Sequence, residues 1–159
     1  MEPKKTDVLR LMENVIFLKK YTLFSRLGTE EVRAIALIAR DIEVKDGECV
    51  VREGDAGDSF FIIRRGQLRI VKGTRASEVE LAVLEQNACF GEMAMFEENA
   101  LRSASVFARG DCTLLCITRD DFVEAMMNNP GIAVEMSKMF ADRLRENNEK
   151  LHKLSQAGH

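Results

Sequence analysis

From Asp41 to Thr118 the apolar residues stop recurring every three or four positions and fall into short runs separated by turn residues. This change of period limits the fold more than any other feature, because helix-period and strand-period patterns bury different faces. Ile42 to Val44 and Cys49 to Val51 flank Asp46-Gly47, a hairpin dipeptide. Glu53-Gly-Asp-Ala-Gly-Asp58 is a loop, Ser59 to Arg64 a strand, and Arg65-Gly66 a turn. Leu68 and Ile70 then alternate with Gln67 and Arg69, and after a turn at Lys72 to Ser77 the residues Val79, Leu81 and Val83 share one face. Ser103 to Ala108 and Cys112 to Thr118 add two runs, split by Arg109-Gly-Asp111. Strands this short at this spacing predict a sandwich or barrel.

Helical spacing governs both flanks. Thr6 is placed to cap a first helix in which Val8, Leu11, Met12 and Val15 share a face and Lys19 and Lys20 sit at the C-terminal end. Thr29 can cap a second, with Glu30 and Glu31 in its first turn and Val32, Ile35, Ala36 and Ala39 as its buried stripe. Beyond Arg119, Asp120 to Met127 reads as a short helix. Asn128-Asn-Pro-Gly131 breaks it, and Pro130 suits the first turn of a long final helix. The 159 residues suit one domain, or one domain with an extra helix.

A net charge of −3 argues against a general nucleic-acid binder. No leader-like apolar segment follows MEPKKTD, and no apolar run approaches the roughly 18 residues of a membrane span. The expected location is the cytoplasm. Cys49, Cys89, Cys112 and Cys116 form no CxxC and have apolar neighbours, so they are expected as reduced, buried thiols. His152 and His159, at the far C-terminus, give no metal-ligand spacing.

One stretch interrupts the strand pattern: FGEMAMFEENALRSAS, Phe90 to Ser105. Gly91 permits an unusual backbone conformation ahead of a helical turn, Glu92 to Met95, whose first N–H groups would lack intrahelical partners and suit an anion. Arg102, ten residues past Glu92, offers a fork of donors to a phosphate. Glu92 can accept hydrogen bonds from sugar hydroxyls. Together these describe a sugar-phosphate pocket; a plain Glu92–Arg102 salt bridge beside a turn fits the same spacing.

The stretch resembles the phosphate-binding cassette of the cyclic nucleotide-binding domain family, of the bacterial catabolite activator and protein kinase A regulatory type. The likeness continues in Arg52-Glu-Gly-Asp-Ala-Gly-Asp-Ser-Phe-Phe-Ile-Ile63 with Gly66, and in Leu84 to Phe90, and covers the chain from about Leu23 to the last helix. The resemblance implies a mainly β fold: an eight-stranded jelly-roll β-barrel with N-terminal helices, a hinge helix and a long C-terminal helix. Its expected divisions are an N-terminal helical segment at 1–28, a nucleotide-binding barrel with flanking helices at 29–128, and a C-terminal lid or dimerisation helix at 129–159. It implies that Glu92 binds the ribose 2′-hydroxyl and Arg102 the cyclic phosphate. Gly91, Met93 and Ala94 would lie at the turn facing the phosphate, and Ser103, beside Ala104, would add a hydroxyl. Val71, Leu81 and Phe90 are apolar candidates for pocket or core. Three positions depart from the family pattern: Leu101 where proline is common, Asn87 where glycine is frequent, and Ser103 where many cAMP-binding members carry alanine.

Phe140, Leu144, Asn147, Leu151 and Leu154 are spaced 4, 3, 4, 3, an a/d seam. In the resembled activators this helix dimerises the protein and covers the base, where Asn147 and Asn148 would present polar side chains. The implied function is a cyclic nucleotide sensor without enzymatic activity or cofactor. Its ligand would be cAMP or cGMP, cAMP first, and it would switch its C-terminal helices for an unknown effector protein, with a homodimer formed through the last helix. The alternatives are a docking module that no longer depends on ligand and the regulatory fragment of a larger protein. A DNA-binding activator would need a helix-turn-helix after the long helix, and an enzyme a nucleophile–base pair or barrel histidines.

Overall fold

Two long strands organise the sheet. The computed structural model describes the backbone of residues 5–20 and 23–158, and the side chains of 7–20 and 23–158. In it β1 (Arg40–Val44) and β2 (Cys49–Val51) pair antiparallel with β6 (Ser105–Thr118), while β4 (Val79–Leu84) and β5 (Cys89–Phe90) pair with β3 (Ser59–Lys72). β3 and β6 pair with each other along their length, and the order is β1-β6-β3-β4.

These six strands differ from the eight-stranded barrel expected above, and no closure of the sheet is seen among the described residues. The reason lies at the two glycine turns, Arg65-Gly66 and Arg109-Gly-Asp111, where the backbone does not leave the ladder. The β3–β6 register slips between Ile63 and Arg65 and again between Arg65 and Gln67. Gly66 and Gly110 take φ of 96° and 75° at these points. A bulge bends a strand without ending it, so two pairs of expected strands become two long ones. The architecture is mixed: N-terminal helices, an antiparallel sheet and C-terminal helices.

The chain forms two compact units, residues 35–125 and residues 1–34 with 126–159. The first holds the sheet, over a core that includes Phe61, Ile63, Leu68, Phe90 and Leu114. Cys112 belongs to that core, but Cys49, Cys89 and Cys116 are only half-buried, less than their apolar neighbours suggest. The boundary between the units passes through α2 (Thr29–Ile38) and α3 (Arg119–Asn128). The expected α2 stripe of Val32, Ile35, Ala36 and Ala39 is buried.

The second unit contains α1 (Lys5–Lys20) and α4 (Pro130–Ala157), with Pro130 at the start of α4 as expected. Thr6 lies within α1 rather than ahead of it, and its side chain falls outside the described residues. The α1 face also differs: Asn14 and Leu18 are buried, while Val8 and Met12 are exposed. The buried i, i+4 pair lies on the adjoining face, about a quarter-turn from the stripe read in the sequence. On α4, Ile132, Met136 and Met139 are buried, and Arg26 forms an ion pair with Asp142. No helix among the described residues is long and apolar enough to cross a membrane.

Candidate functional site

After β5 the chain turns as its residues predict. Gly91 takes φ 83° and ψ 14°, and Glu92–Met95 form one 3-10 turn in which the Ala94 N–H donates to the Gly91 carbonyl at 3.1 Å. The N–H groups of Glu92 and Met93 precede that first bond, so they are the donors a helical turn leaves without intrahelical acceptors. Ala94 and Met95 are buried and anchor the turn. Only glycine fits at position 91. A Cβ there would lie 2.5 Å from the Arg102 guanidinium and 2.8 Å from the Ser59 carbonyl oxygen.

Arg102 is held by the loop at residues 53–58. Its N–H donates to the Asp55 carbonyl at 2.8 Å, and its carbonyl accepts from the Gly54 N–H at 2.8 Å. The Gly57 N–H donates to the Ala100 carbonyl at 2.7 Å, and Leu101 bridges Ala56. One guanidinium N–H donates to the Ser59 carbonyl at 2.7 Å. The guanidinium carbon lies 5.9 Å from the centroid of the Phe61 ring, which stacks on Phe90 at 4.9 Å. Among the described residues no Glu92–Arg102 ion pair forms; the guanidinium is bonded to Ser59 instead. Burial lowers the Arg102 pKa from its ordinary value, and the negative charge of Asp58 opposes that effect. An arginine remains charged regardless, so this is a half-buried cation with several donors to offer.

Glu92 and Arg102 line one cavity of about 270 Å³. Phe90, Gly91, Met93, Ala94, Ser103 and Ala104 line it with them, so the structure gathers the contiguous candidates around a single space. The other candidates are not among the lining residues. Val71 is buried, but Ile70 is the residue that lines the cavity. Successive strand residues face opposite sides, and Ile70 pairs directly with Val106, another wall residue. Leu81 is 56% exposed on β4. There Ile70 pairs with Ala82 and Val71 with Glu80, so Leu81 is the extra residue of a bulge and the expected apolar stripe is broken. Asn147 and Asn148 are exposed on α4, in the helical unit.

Sequence reasoning missed Val51, Ile70 and Val106 as cavity wall, and the part played by residues 53–58 as the template for Arg102. The half-buried alternation of Leu68 and Ile70 bore on Ile70 alone, and nothing local pointed to Val51, Val106 or the loop. The result is a cation, a carboxylate acceptor and backbone donors beside an apolar wall. Such a set of groups suits an anion that carries hydroxyls and an apolar part.

The family model described as "Cyclic nucleotide-binding domain" matches residues 41–129. The chain is 31% identical over 140 residues to the cyclic AMP receptor protein of Thermus thermophilus, covering 87% of this chain and 64% of that protein. It is 29% identical over 157 residues to a cAMP-dependent protein kinase regulatory subunit of Mucor circinelloides, covering 94% of this chain. The chain thus spans 34% of the length of that subunit and 64% of that of the receptor. The regulatory domain of Toxoplasma gondii PKA, solved with cAMP, superposes with a TM-score of 0.73 at 26% identity, over 87% of this chain and 52% of that one. With its family matched over more than half its length and its fold shared with that regulatory domain, this chain belongs to the cyclic nucleotide-binding domain family.

Proposed function

We propose that the cavity binds a cyclic nucleotide, cAMP ahead of cGMP, and that binding switches the C-terminal helices. Arg102 pairs with the cyclic phosphate together with the N–H groups at the start of the 3-10 turn. Glu92 accepts from the ribose 2′-hydroxyl, Ser103 adds a hydroxyl, and Val51, Ile70 and Val106 pack against the base. The observation that carries this reading is Arg102: a half-buried cation, fixed in place by Ser59 and the 53–58 loop, lining the same cavity as Glu92. Relatives named for cAMP support placing it first, beside others named for cGMP.

In this reading residues 29–128 hold the ligand and 129–159 act as lid and dimerisation helix, with Asn147 and Asn148 turned to the base. Leu144, Leu151 and Leu154 are exposed along α4, as a seam awaiting a second copy would be. The protein is then a sensor without catalytic activity, biased between two states by differential affinity for its ligand and read by an effector protein. Arg102→Ala tests the phosphate role. Losing a charge-assisted contact of ~1.5–3 kcal/mol should weaken cyclic nucleotide binding by roughly one to two decades in calorimetry, with melting nearly unchanged. Unchanged affinity would remove Arg102 from that role.

A further inference from the structure

We propose that Arg119 ties the first turn of α3 to both segments that surround Arg102, so that α3 follows the state of the cassette. The Arg119 backbone N–H donates to the Asp58 carbonyl at 2.7 Å. The next carbonyl along, that of Ser59, accepts from the Arg102 guanidinium. The start of α3 and the phosphate-binding arginine therefore hang on two consecutive carbonyls. The Arg119 side chain reaches the opposite wall, where its guanidinium lies 3.3 Å from the Glu98 carboxylate, in the loop that follows the 3-10 turn. Phe96 of that same loop meets the buried Phe122 ring edge-on, at 5.9 Å between centroids.

The ring contact tolerates sliding; the ion pair depends on where Glu98 is. Arg119 also has a donor to spare, since its Nε is buried without a hydrogen-bond partner among the described residues. Arg119 lines a second cavity of about 510 Å³, whose wall includes Asp58, Glu98, Asp120 and Asp121. A buried donor without an acceptor is unfavourable. Movement of the loop carrying Glu98 leaves this guanidinium other carboxylates to take, as a link that changes partners requires. Glu98 is largely exposed, so the link is weak taken singly.

The ligand-dependent half of this inference rests on the nucleotide reading; the other half does not. The test is amide hydrogen exchange of Val123 to Met126, whose N–H groups bond the carbonyls of the first turn of α3, in wild type, Glu98→Gln and Arg119→Gln, alone and with saturating cAMP or cGMP. Without nucleotide, Glu98→Gln should raise exchange in that turn by about two- to five-fold while the sheet amides stay as they were. With nucleotide, the wild type should change its protection there. Arg119→Gln should bind within about three-fold of wild type yet lose most of that change. If Glu98→Gln leaves the turn unaltered, or the nucleotide response persists in Arg119→Gln, the proposal is overturned. If neither nucleotide binds the wild type, the functional reading falls, and the ligand-free arm alone decides the link.

Discussion

Gly91 and Arg102 show how much of a binding site can rest on one backbone conformation. The positive φ at Gly91 brings the turn so close to the guanidinium that a methyl group cannot enter. Gly91→Ala should cost at least about 1–2 kcal/mol for the left-handed conformation alone, measured by denaturant unfolding. It should also weaken nucleotide binding, because the added carbon displaces Arg102. A variant of wild-type stability would mean that position 91 relaxes to negative φ. This part of the site was legible in the sequence because Gly91, Glu92, Arg102 and Ser103 fall in one short segment. Asn87 was legible too, as its φ of 70° is one that asparagine tolerates well. Val51, Ile70 and Val106 were not. They come together only through strand pairing, and no local pattern records which strand pairs with which.

Among the elements, existence was easier to read than extent or facing. The helices and most β runs lie where the periodicity puts them. Glycines inside β3 and β6 imitate turns, however, and a two-residue strand such as β5 has no period to detect. The face of α1 was misjudged because Leu11 and Val15 are compatible with either of two adjoining stripes. The tie between Arg26 and α4 could not be anticipated, since its partners are 116 residues apart. It makes a pH prediction. The hydrogen bond from Arg26 holds the Asp142 carboxyl below its ordinary pKa, with Arg145 adding to the effect. A depressed folded-state pKa gives stability that is present above the unfolded value, near 3.9, and lost as pH falls through the folded one. In carbon-detected NMR the Asp142 titration midpoint should lie below that of an ordinary aspartate and rise in Arg26→Gln. An unmoved midpoint would show that the pair does not persist in solution.

At the scale of the molecule, a sheet unit carries the cavity and a helical unit carries α4 with its exposed leucines. If those leucines form a dimer seam, sedimentation should show a dimer that Leu151→Glu converts to monomer; a wild-type monomer at high concentration would confine α4 to a lid role. The sequence alone could suggest this seam but not what covers it, because a heptad pattern describes one side of a contact. The central functional claim is that the cavity takes a cyclic nucleotide. Calorimetric titration of the purified protein with cAMP, cGMP and linear 5′-AMP tests it most directly. The account predicts roughly micromolar or tighter binding of a cyclic nucleotide and much weaker binding of 5′-AMP. No heat from either cyclic nucleotide together with an unshifted melting temperature, or equal binding of 5′-AMP, would contradict it.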